Sequence, residues 1–218
     1  MSISPHEFTG EQFNLNDYLG SQEKTKQVVL SFSKKIQAGM TEKDGHDLLE
    51  SMLDESGLEK RWHPTKMRMG VNTVLNFRDN SEDYILKEND IFFADVGPVY
   101  YNHEGDYGES FVIGNNPELK HLVDATKTIF YTTQKAWSEQ KLTGRALYEF
   151  AAKEAEKLNL RLNSNMYGHR LGDFPHAVHT KAKLGDIPFT PAPHLWVLEI
   201  HLIDDKLKRG AFFEDILI

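Results

Sequence analysis

Hydrophobic positions recur at helical spacing in two neighbouring segments near the start of the chain. In segment 21–37, apolar residues return every three to four positions among Lys, Gln and Ser, which predicts an amphipathic helix. In the next segment, Thr41 precedes acidic residues and an apolar set that ends near Gly57. Because a threonine hydroxyl can cap the free N–H groups of a first turn, we predict that a second helix begins after Thr41.

The hydrophobic period then shortens, and the order of elements repeats. Alternating or continuous apolar runs predict strands at 71–77, 91–96 and 110–113. Two further helices are predicted, from Pro117 to about Trp137 and after Thr143, followed by strands at 196–202 and 211–218.

A shift of 102 residues aligns Met40-Thr41 with Leu142-Thr143, which are capping positions in the two halves. This weak match predicts a duplicated helix-helix-strand unit with a pseudo-two-fold axis. Two curved antiparallel sheet halves, backed by helices, would then meet at a central site.

Composition and charge narrow the class of protein. The 218 residues are enough for one sizeable core and contain no linker-like stretch, so we expect residues 1–218 to form a single domain. The net charge is −8 and no stretch concentrates Lys and Arg, which argues against nucleic acid or an acidic membrane surface as a partner. Because no signal-like or membrane-spanning pattern is present, we expect a cytoplasmic protein.

The chain contains no cysteine. This excludes disulfides, thiolate zinc sites, iron–sulfur clusters and cysteine nucleophiles together. Any bound metal must therefore be held by His, Asp or Glu.

Two aspartates follow apolar strand patterns in the first half. Asp95 ends a predicted strand, and Asp106 comes eleven residues later, just before the next strand. A hairpin with its turn near 102–104 would bring the two carboxylates to one end of adjacent strands. Two close carboxylates repel each other unless a cation or a proton lies between them. The alternative is that each aspartate only stabilises a turn.

Two glutamates interrupt apolar strand patterns in the second half. An unpaired charge at Glu199 or Glu214 would cost several kcal/mol if buried, so both glutamates indicate a nearby cation. His169 lies in a glycine-rich segment with His176 seven residues later, and it is either a ligand or a surface histidine.

These residues together supply four carboxylates and one imidazole, and no sulfur. Such ligands suit two divalent metal ions of the Mn, Fe, Co or Zn type, which would generate a bridging hydroxide and polarise a substrate carbonyl. The candidate metal ligands are Asp95, Asp106, His169, Glu199 and Glu214.

Taken together, these residues and their neighbours resemble the motifs of a known family. Asp-Val-Gly-Pro with a second Asp at +11, Gly-His with a second His at +7, Val-Leu-Glu, and a terminal Phe-Glu-Asp-Ile-Leu occur in the order found in the pita-bread metallopeptidases. These are the methionine aminopeptidase, aminopeptidase P and prolidase superfamily. The resemblance covers essentially the whole chain and implies an α+β pita-bread fold.

The resemblance also implies roles for individual residues. Asp95 would be bidentate to one metal, Asp106 and Glu214 would bridge, and His169 and Glu199 would complete the second metal's shell. Glu199 would also take part in proton transfer. His176 would hydrogen-bond the substrate carbonyl or the developing oxyanion.

The sequence departs from the family pattern at several positions. The family's substrate-contacting histidine falls on Phe77, so its role is empty unless His63, His103 or His179 takes its place. Arg170 stands where relatives have a small residue, and we predict that it adds a cation close to the metals. The chain's end resembles the prolidase and aminopeptidase P branch without the N-terminal domain of aminopeptidase P, so we expect a bare catalytic domain.

The sequence therefore predicts a dinuclear metal-dependent hydrolase, either an aminopeptidase or an Xaa-Pro dipeptidase. Its substrate would contact Phe77, His176 and His179. Two alternatives stay open: a hydrolase acting on a non-peptide amide, and a non-catalytic module that binds peptide or protein. The oligomeric state also stays open, with a homodimer among the alternatives.

Overall fold

The computed structural model describes residues 4–171 and 180–218, which form helices packed on antiparallel sheets. The helices of this part of the chain are α1 (Leu15–Ser33), α2 (Glu42–Glu55), α3 (Pro117–Gln140) and α4 (Gly144–Lys157). Its strands are β1 (Lys60–Arg61), β2 (Lys66–Met69), β3 (Asp90–Val96), β4 (Pro98–Tyr100), β5 (His103–Glu104), β6 (Tyr107–Ile113), β7 (Arg161–Leu162), β8 (His169–Arg170), β9 (Trp196–Asp204) and β10 (Arg209–Ile216).

One large antiparallel sheet carries most of the strands. Its strand order is β2-β3-β6-β10-β9-β7, and β8 also pairs with β9. A small sheet of order β1-β4-β5 continues from the end of β3. Alternate residues of the long strands, such as Phe92, Leu198 and Phe213, are buried in one cluster with apolar side chains of the helices. The intervening residues of these strands therefore point to the opposite face of the sheet.

The two halves of the chain repeat the same order of elements at a constant spacing. Helices α3 and α4 begin 102 residues after α1 and α2, and β10 begins 102 residues after β6. The predicted duplication is therefore confirmed in the positions of the elements. Strands β6 and β10 pair with each other, so the two halves meet in the middle of the large sheet.

Local capping explains where the helices begin. Thr41 and Asp44 form a capping box at α2, in which each side chain accepts a hydrogen bond from the other's backbone N–H. Thr143 caps α4 as predicted. Helix α1 begins at Leu15 rather than at residue 21, because the Asn14 side chain caps that earlier turn. No helix in the described ranges is both long and apolar enough to cross a membrane.

The strand predicted at 71–77 is wrong. Strand β2 ends at Met69, and Gly70–Val74 forms a 3-10 turn. Gly70 has φ +55°, a left-handed conformation that favours glycine, and the Thr73 hydroxyl donates a hydrogen bond to the Gly70 carbonyl. The chain consequently leaves the sheet at this point and carries Phe77 towards the centre of the molecule.

Candidate active site

The pairing register of the large sheet brings three carboxylates into one row. Asp95 of β3 lies opposite Gly108 of β6, Gly108 lies opposite Glu214 of β10, and Glu214 lies opposite Glu199 of β9. Residues directly opposite each other in a sheet share a face, so these side chains point to the same side. This face is opposite to the one that carries Phe92, Leu198 and Phe213.

Asp106 and His169 join the row from neighbouring positions. Asp106 comes two residues before Gly108 and faces the same side, because side chains alternate along a strand. The His169 Nε2 atom lies 3.0 Å from Asp106 Oδ2 and 3.7 Å from Glu199 Oε1. The structure therefore brings together all five residues that the sequence indicated as metal ligands.

The hairpin between the two aspartates turns at Tyr101 and Asn102, both of which have positive φ. Strands β4 and β5 flank this turn, so it lies close to the position expected from the sequence. It returns the chain so that Asp106 stands beside the end of β3.

Burial makes this group of carboxylates suited to a cation. Asp106 and Glu214 are 1% and 2% exposed, and no described residue donates a hydrogen bond to Glu214 Oε1. Burial raises the pKa of Asp95 to about 6 and that of Glu199 to about 7, and it raises the pKa of Glu214 well above its usual value. Oxygen ligands with an imidazole suit divalent metal ions, so the residues present fit the metals that the sequence indicated.

The histidines counter part of this negative charge. Burial alone would raise the pKa of Asp106, but the His63 and His169 rings outweigh it and hold the pKa below its usual range. Burial would likewise lower the pKa of His169, but Asp106 outweighs burial and raises it to about 10. Asp106 is therefore a carboxylate that interacts with two histidines, His63 and His169.

Gly108 makes room for Glu214 within the row. A Cβ atom at position 108 would lie 2.7 Å from Glu214 Oε1 and 2.5 Å from Phe212 Cε1. Both distances are too short for any larger residue, so the glycine fixes where the glutamate carboxylate can lie.

The row forms the floor of an open cavity with a volume of about 610 Å³.

 A separate groove beside Val71 and Arg161 has a volume of about 410 Å³. Asp95, Glu199 and Glu214 all line the larger cavity, which is therefore the candidate active site.

The walls of this cavity combine apolar and cationic side chains. Phe77 lines it, and so do the rings of Trp62 and Tyr167; contact between Phe77 and a substrate stays a prediction. Two cations, Arg78 and Lys183, lie along the same lining. The remaining predicted substrate contacts, His176 and His179, lie outside the described residues.

Two further residues of the cavity were not among the predicted ligands. The His63 Nε2 atom lies 3.3 Å from Asp106 Oδ1 and 3.8 Å from Asp95 Oδ1, and its ring packs edge-on against Phe77. Glu104 is fully buried and lines the same cavity. A sequence signal existed for Glu104, because it precedes Asp106 by two residues and can share its face of the hairpin.

Of the three histidines that could replace the one missing at position 77, His63 lines the cavity, and His179 lies outside the described residues. His103 does not reach the cavity. The His103 ring donates from Nδ1 to the Tyr101 carbonyl and accepts at Nε2 from the Asn14 backbone N–H. It stabilises the hairpin turn and the start of α1 instead.

The prediction for Arg170 is wrong. Its guanidinium donates hydrogen bonds to the backbone carbonyls of Phe8, at 3.0 Å, and Leu171. Consecutive strand residues point to opposite faces, so His169 faces the site and Arg170 points away from it. Arg170 therefore binds the N-terminal segment at Phe8, and its charge is not on the face that carries the carboxylates.

An antiparallel sheet with buried carboxylates and an imidazole on one face is suited to binding divalent metal ions. The chain belongs to metallopeptidase family M24, whose model matches residues 18–218. The family and the α+β pita-bread fold expected from the sequence are therefore confirmed.

Individual relatives agree with this membership. The chain is 24% identical over 127 residues to a methionine aminopeptidase of Aquifex aeolicus (strain VF5), a match that covers 56% of this chain and 49% of the relative. It is 28% identical over 152 residues to methionine aminopeptidase 2 of Bacillus subtilis (strain 168), covering 66% of this chain and 59% of the relative. The chain thus spans about half to three fifths of the curated relatives it matches.

A solved structure shows the same fold. The crystal structure of X-Pro aminopeptidase from Thermotoga maritima MSB8 superposes with a TM-score of 0.76 at 20% sequence identity. The superposition covers 93% of this chain and 57% of that chain.

Proposed function

We propose that this protein is a dinuclear metal-dependent hydrolase that cleaves short peptides, as an aminopeptidase or an Xaa-Pro dipeptidase. The observation that carries the proposal is the row of buried carboxylates, joined by His169, at the floor of an open cavity. Membership of a metallopeptidase family supports the same conclusion.

Five residues would hold the two cations. These residues are Asp95, Asp106, His169, Glu199 and Glu214, which lie on one face of the sheet. When bound, two divalent cations would activate a water molecule and polarise the scissile carbonyl. Mn, Fe, Co and Zn all accept this combination of oxygen and nitrogen ligands.

Glu199 is the group proposed to move a proton. Burial raises the pKa of its carboxyl to about 7 before a cation binds. It also lies at the cavity floor, where it can reach both the water and the leaving amine of a bound peptide. His176 is proposed to hydrogen-bond the substrate carbonyl, and His179 to contact the substrate.

The cavity lining suggests a short substrate with a free carboxyl group. The rings of Trp62, Phe77 and Tyr167 offer an apolar surface to a substrate side chain, and Arg78 and Lys183 offer positive charge to a carboxylate. We therefore place dipeptides such as Xaa-Pro ahead of long chains as substrates.

Metal analysis and a substrate panel test the proposal together. Protein purified without chelator should retain or rebind Mn, Fe, Co or Zn and should hydrolyse at least one peptide of a panel containing Xaa-Pro and Met-Xaa. Asp106→Asn and Glu199→Gln should abolish hydrolysis while the circular dichroism spectrum stays unchanged. His121→Gln, on the exposed side of α3, is the control and should keep full activity. Failure to bind any of the four metals would overturn the proposal.

A second comparison tests whether Arg78 binds the carboxylate of the substrate. Arg78→Ala should slow hydrolysis of a free dipeptide more than that of the same dipeptide with an amidated C-terminus. Equal effects on both substrates would show that Arg78 does not recognise the carboxylate.

A second candidate function is hydrolysis of a non-peptide amide, and Phe77 is the observation that favours it. The resemblance to the family places a substrate-contacting histidine at this position, and a phenylalanine cannot donate the same hydrogen bond. Metal binding with activity on other amides and on none of the peptides would favour this candidate. Metal binding without any turnover would favour a module that binds peptide or protein.

A further inference from the structure

We infer that His63 and Glu104 are additional metal ligands, which hold one divalent cation together with Asp106. The inference rests on the proposed metal site and extends its ligands beyond the five that the sequence indicated. It assigns a chemical role to the histidine that lies beside Phe77.

Ligand-type atoms form two compact groups that share Asp106. In the first group, one atom from each of His63, Glu104 and Asp106 lies within 4.8 Å of the other two. In the second group, Asp106, His169 and Glu214 meet the same limit. A cation in each group would have an imidazole ligand of its own, and Asp106 belongs to both groups.

The hydrogen bonding of His63 directs its inner nitrogen, Nε2, towards the carboxylates. The Nδ1 atom lies 3.0 Å from the Pro64 carbonyl oxygen, which can only accept, so Nδ1 carries a proton. The Nε2 atom lies 3.3 Å from Asp106 Oδ1, and a cation that displaces the Nε2 proton would bind its lone pair. Metal-binding histidines are typically oriented in this way, by a hydrogen bond from the second ring nitrogen to a carbonyl or carboxylate.

Neighbouring residues fit closely around the His63 ring. A Cβ atom at Gly97 would lie 2.3 Å from His63 Cδ2, so the ring occupies space that only a glycine leaves open. On another side, the Phe77 ring contacts it edge-on, with 5.7 Å between the ring centroids. These contacts hold the ring towards the carboxylates rather than towards solvent.

The other two members of the group are buried. Glu104 is 0% exposed and Asp106 is 1% exposed. In the adjoining group, Glu214 Oε1 is a buried oxygen to which no described residue donates a hydrogen bond. Buried oxygens of this kind are satisfied by a bound cation.

The imidazole of His63 affects which metal ion the group of His63, Glu104 and Asp106 would bind most tightly. Carboxylate oxygens alone suit Mg, Ca and Mn, whereas an imidazole nitrogen suits Zn and Fe. We therefore expect the cation beside His63 to be bound more tightly as Zn²⁺ than as Mn²⁺.

Nitrogen NMR of the wild-type protein gives the most direct test. In long-range ¹H–¹⁵N spectra of protein saturated with Zn²⁺, the Nε2 resonance of His63 should move to the position of a metal-bound imidazole nitrogen, while Nδ1 stays protonated. His63→Gln identifies the resonance. If Nε2 of His63 keeps its metal-free position in the zinc-saturated protein, the inference is overturned.

Calorimetric titration with Zn²⁺ provides a second readout. His63→Gln and Glu104→Gln should each weaken the same one of two binding steps by roughly tenfold or more, and His169→Gln should weaken the other step. His103→Gln is the matched control, because this buried histidine bonds to Asn14 and Tyr101 and should change neither step. Two unchanged steps in His63→Gln would also overturn the inference.

The titration separates this inference from the proposed function. Wild-type protein that binds no metal contradicts the proposed function itself. Wild-type protein that binds two cations, with no contribution from His63, contradicts this inference alone.

Discussion

Gly108 shows how one residue can set the geometry of the candidate site. Because its missing side chain leaves the space that Glu214 occupies, Gly108→Ala would place a Cβ atom 2.7 Å from Glu214 Oε1. We expect the glutamate carboxylate to be displaced and metal affinity to fall by roughly tenfold or more. Titration calorimetry with Co²⁺ or Zn²⁺ measures this change.

Gly20→Ala is the matched control for Gly108→Ala. Gly20 lies within α1, and a Cβ atom there would meet Tyr101 Cε2 at 3.5 Å, an ordinary contact. We expect unchanged metal affinity and a gain in stability of up to about 1 kcal/mol, since alanine favours helix. Equal losses of affinity in both variants would contradict the role assigned to Gly108.

His201 makes the stability of the protein sensitive to acid. The ring is fully buried, donates from Nε2 to the Thr73 carbonyl and accepts at Nδ1 from Asn163. Burial lowers the pKa of His201 to about 4, so the folded state favours the neutral ring. This contribution to stability is complete above the unfolded pKa of about 6.5 and is lost as the pH falls towards 4.

The expected loss is about 3 kcal/mol in the free energy of unfolding between pH 7 and pH 4. The site carboxylates also titrate in this range, so the measurement is the difference between wild type and His201→Gln in denaturant unfolding across pH. The effects of the carboxylates cancel in that difference. A difference that does not vary with pH would contradict the prediction.

At the scale of elements, one buried glutamate shapes the segment that follows β2. Glu42, in the first turn of α2, accepts hydrogen bonds from the Met69 backbone N–H at 2.8 Å, from Asn72 Nδ2 at 2.9 Å and from Ser81 Oγ at 2.6 Å. Arg68 lies 3.5 Å from the same carboxylate. These bonds hold the segment 69–81 against α2 and away from the sheet.

We expect Glu42→Ala to lower the free energy of unfolding by about 3 kcal/mol or more, because it leaves the buried Arg68 without its carboxylate partner. Urea denaturation measures the change. Glu55→Ala, at the exposed end of the same helix, serves as the control and should change stability by no more than about 0.5 kcal/mol. A similar small effect in both variants would show that Glu42 does not stabilise this segment.

Elements decided by local interactions were predictable from the sequence. The starts of α2, α3 and α4 follow from Thr41, Asn116 and Thr143, whose side chains bond to nearby backbone. The strand predicted at 71–77 failed because its apolar composition is typical of a strand, whereas its conformation depends on the turn at Gly70 and on a hydrogen bond from Asn72 to Glu42, thirty residues earlier. Local composition cannot reveal such a long-range bond.

The same distinction applies to the candidate site. Charged residues inside apolar strands, such as Glu199, were visible as exceptions to a pattern. His63 breaks no pattern in the sequence, so it could be named only as one of three histidines able to replace the missing one, together with His103 and His179. It reaches Asp106 because the Trp62 backbone N–H bonds to the Gly97 carbonyl, and this pairing exists only in the folded chain.

At the scale of the whole molecule, the proposed metal ligands come from both halves of the chain. Asp95 and Asp106 belong to the first half, and His169, Glu199 and Glu214 to the second. A cation that binds the folded state alone stabilises it by about 2.7 kcal/mol at a free concentration one hundred times Kd. We therefore expect chelation to lower the melting temperature and added metal to restore it, as measured by calorimetry.

Glu199→Gln is the comparison for this effect. It keeps the size of the side chain and removes a ligand charge, so its melting temperature should respond less to added metal than that of wild type. A wild-type melting temperature that is independent of metal would contradict the prediction.

The repeat of elements at a spacing of 102 residues has a consequence for chain connectivity. The halves are joined by an exposed connection at Gly114 and Asn115, while β6 and β10 hold them together within the sheet. A protein cut between these two residues would become a two-fragment complex with an incomplete set of ligands on each fragment. We expect the fragments, produced together, to associate more tightly as the metal concentration rises. A divalent cation would then control whether the split protein assembles.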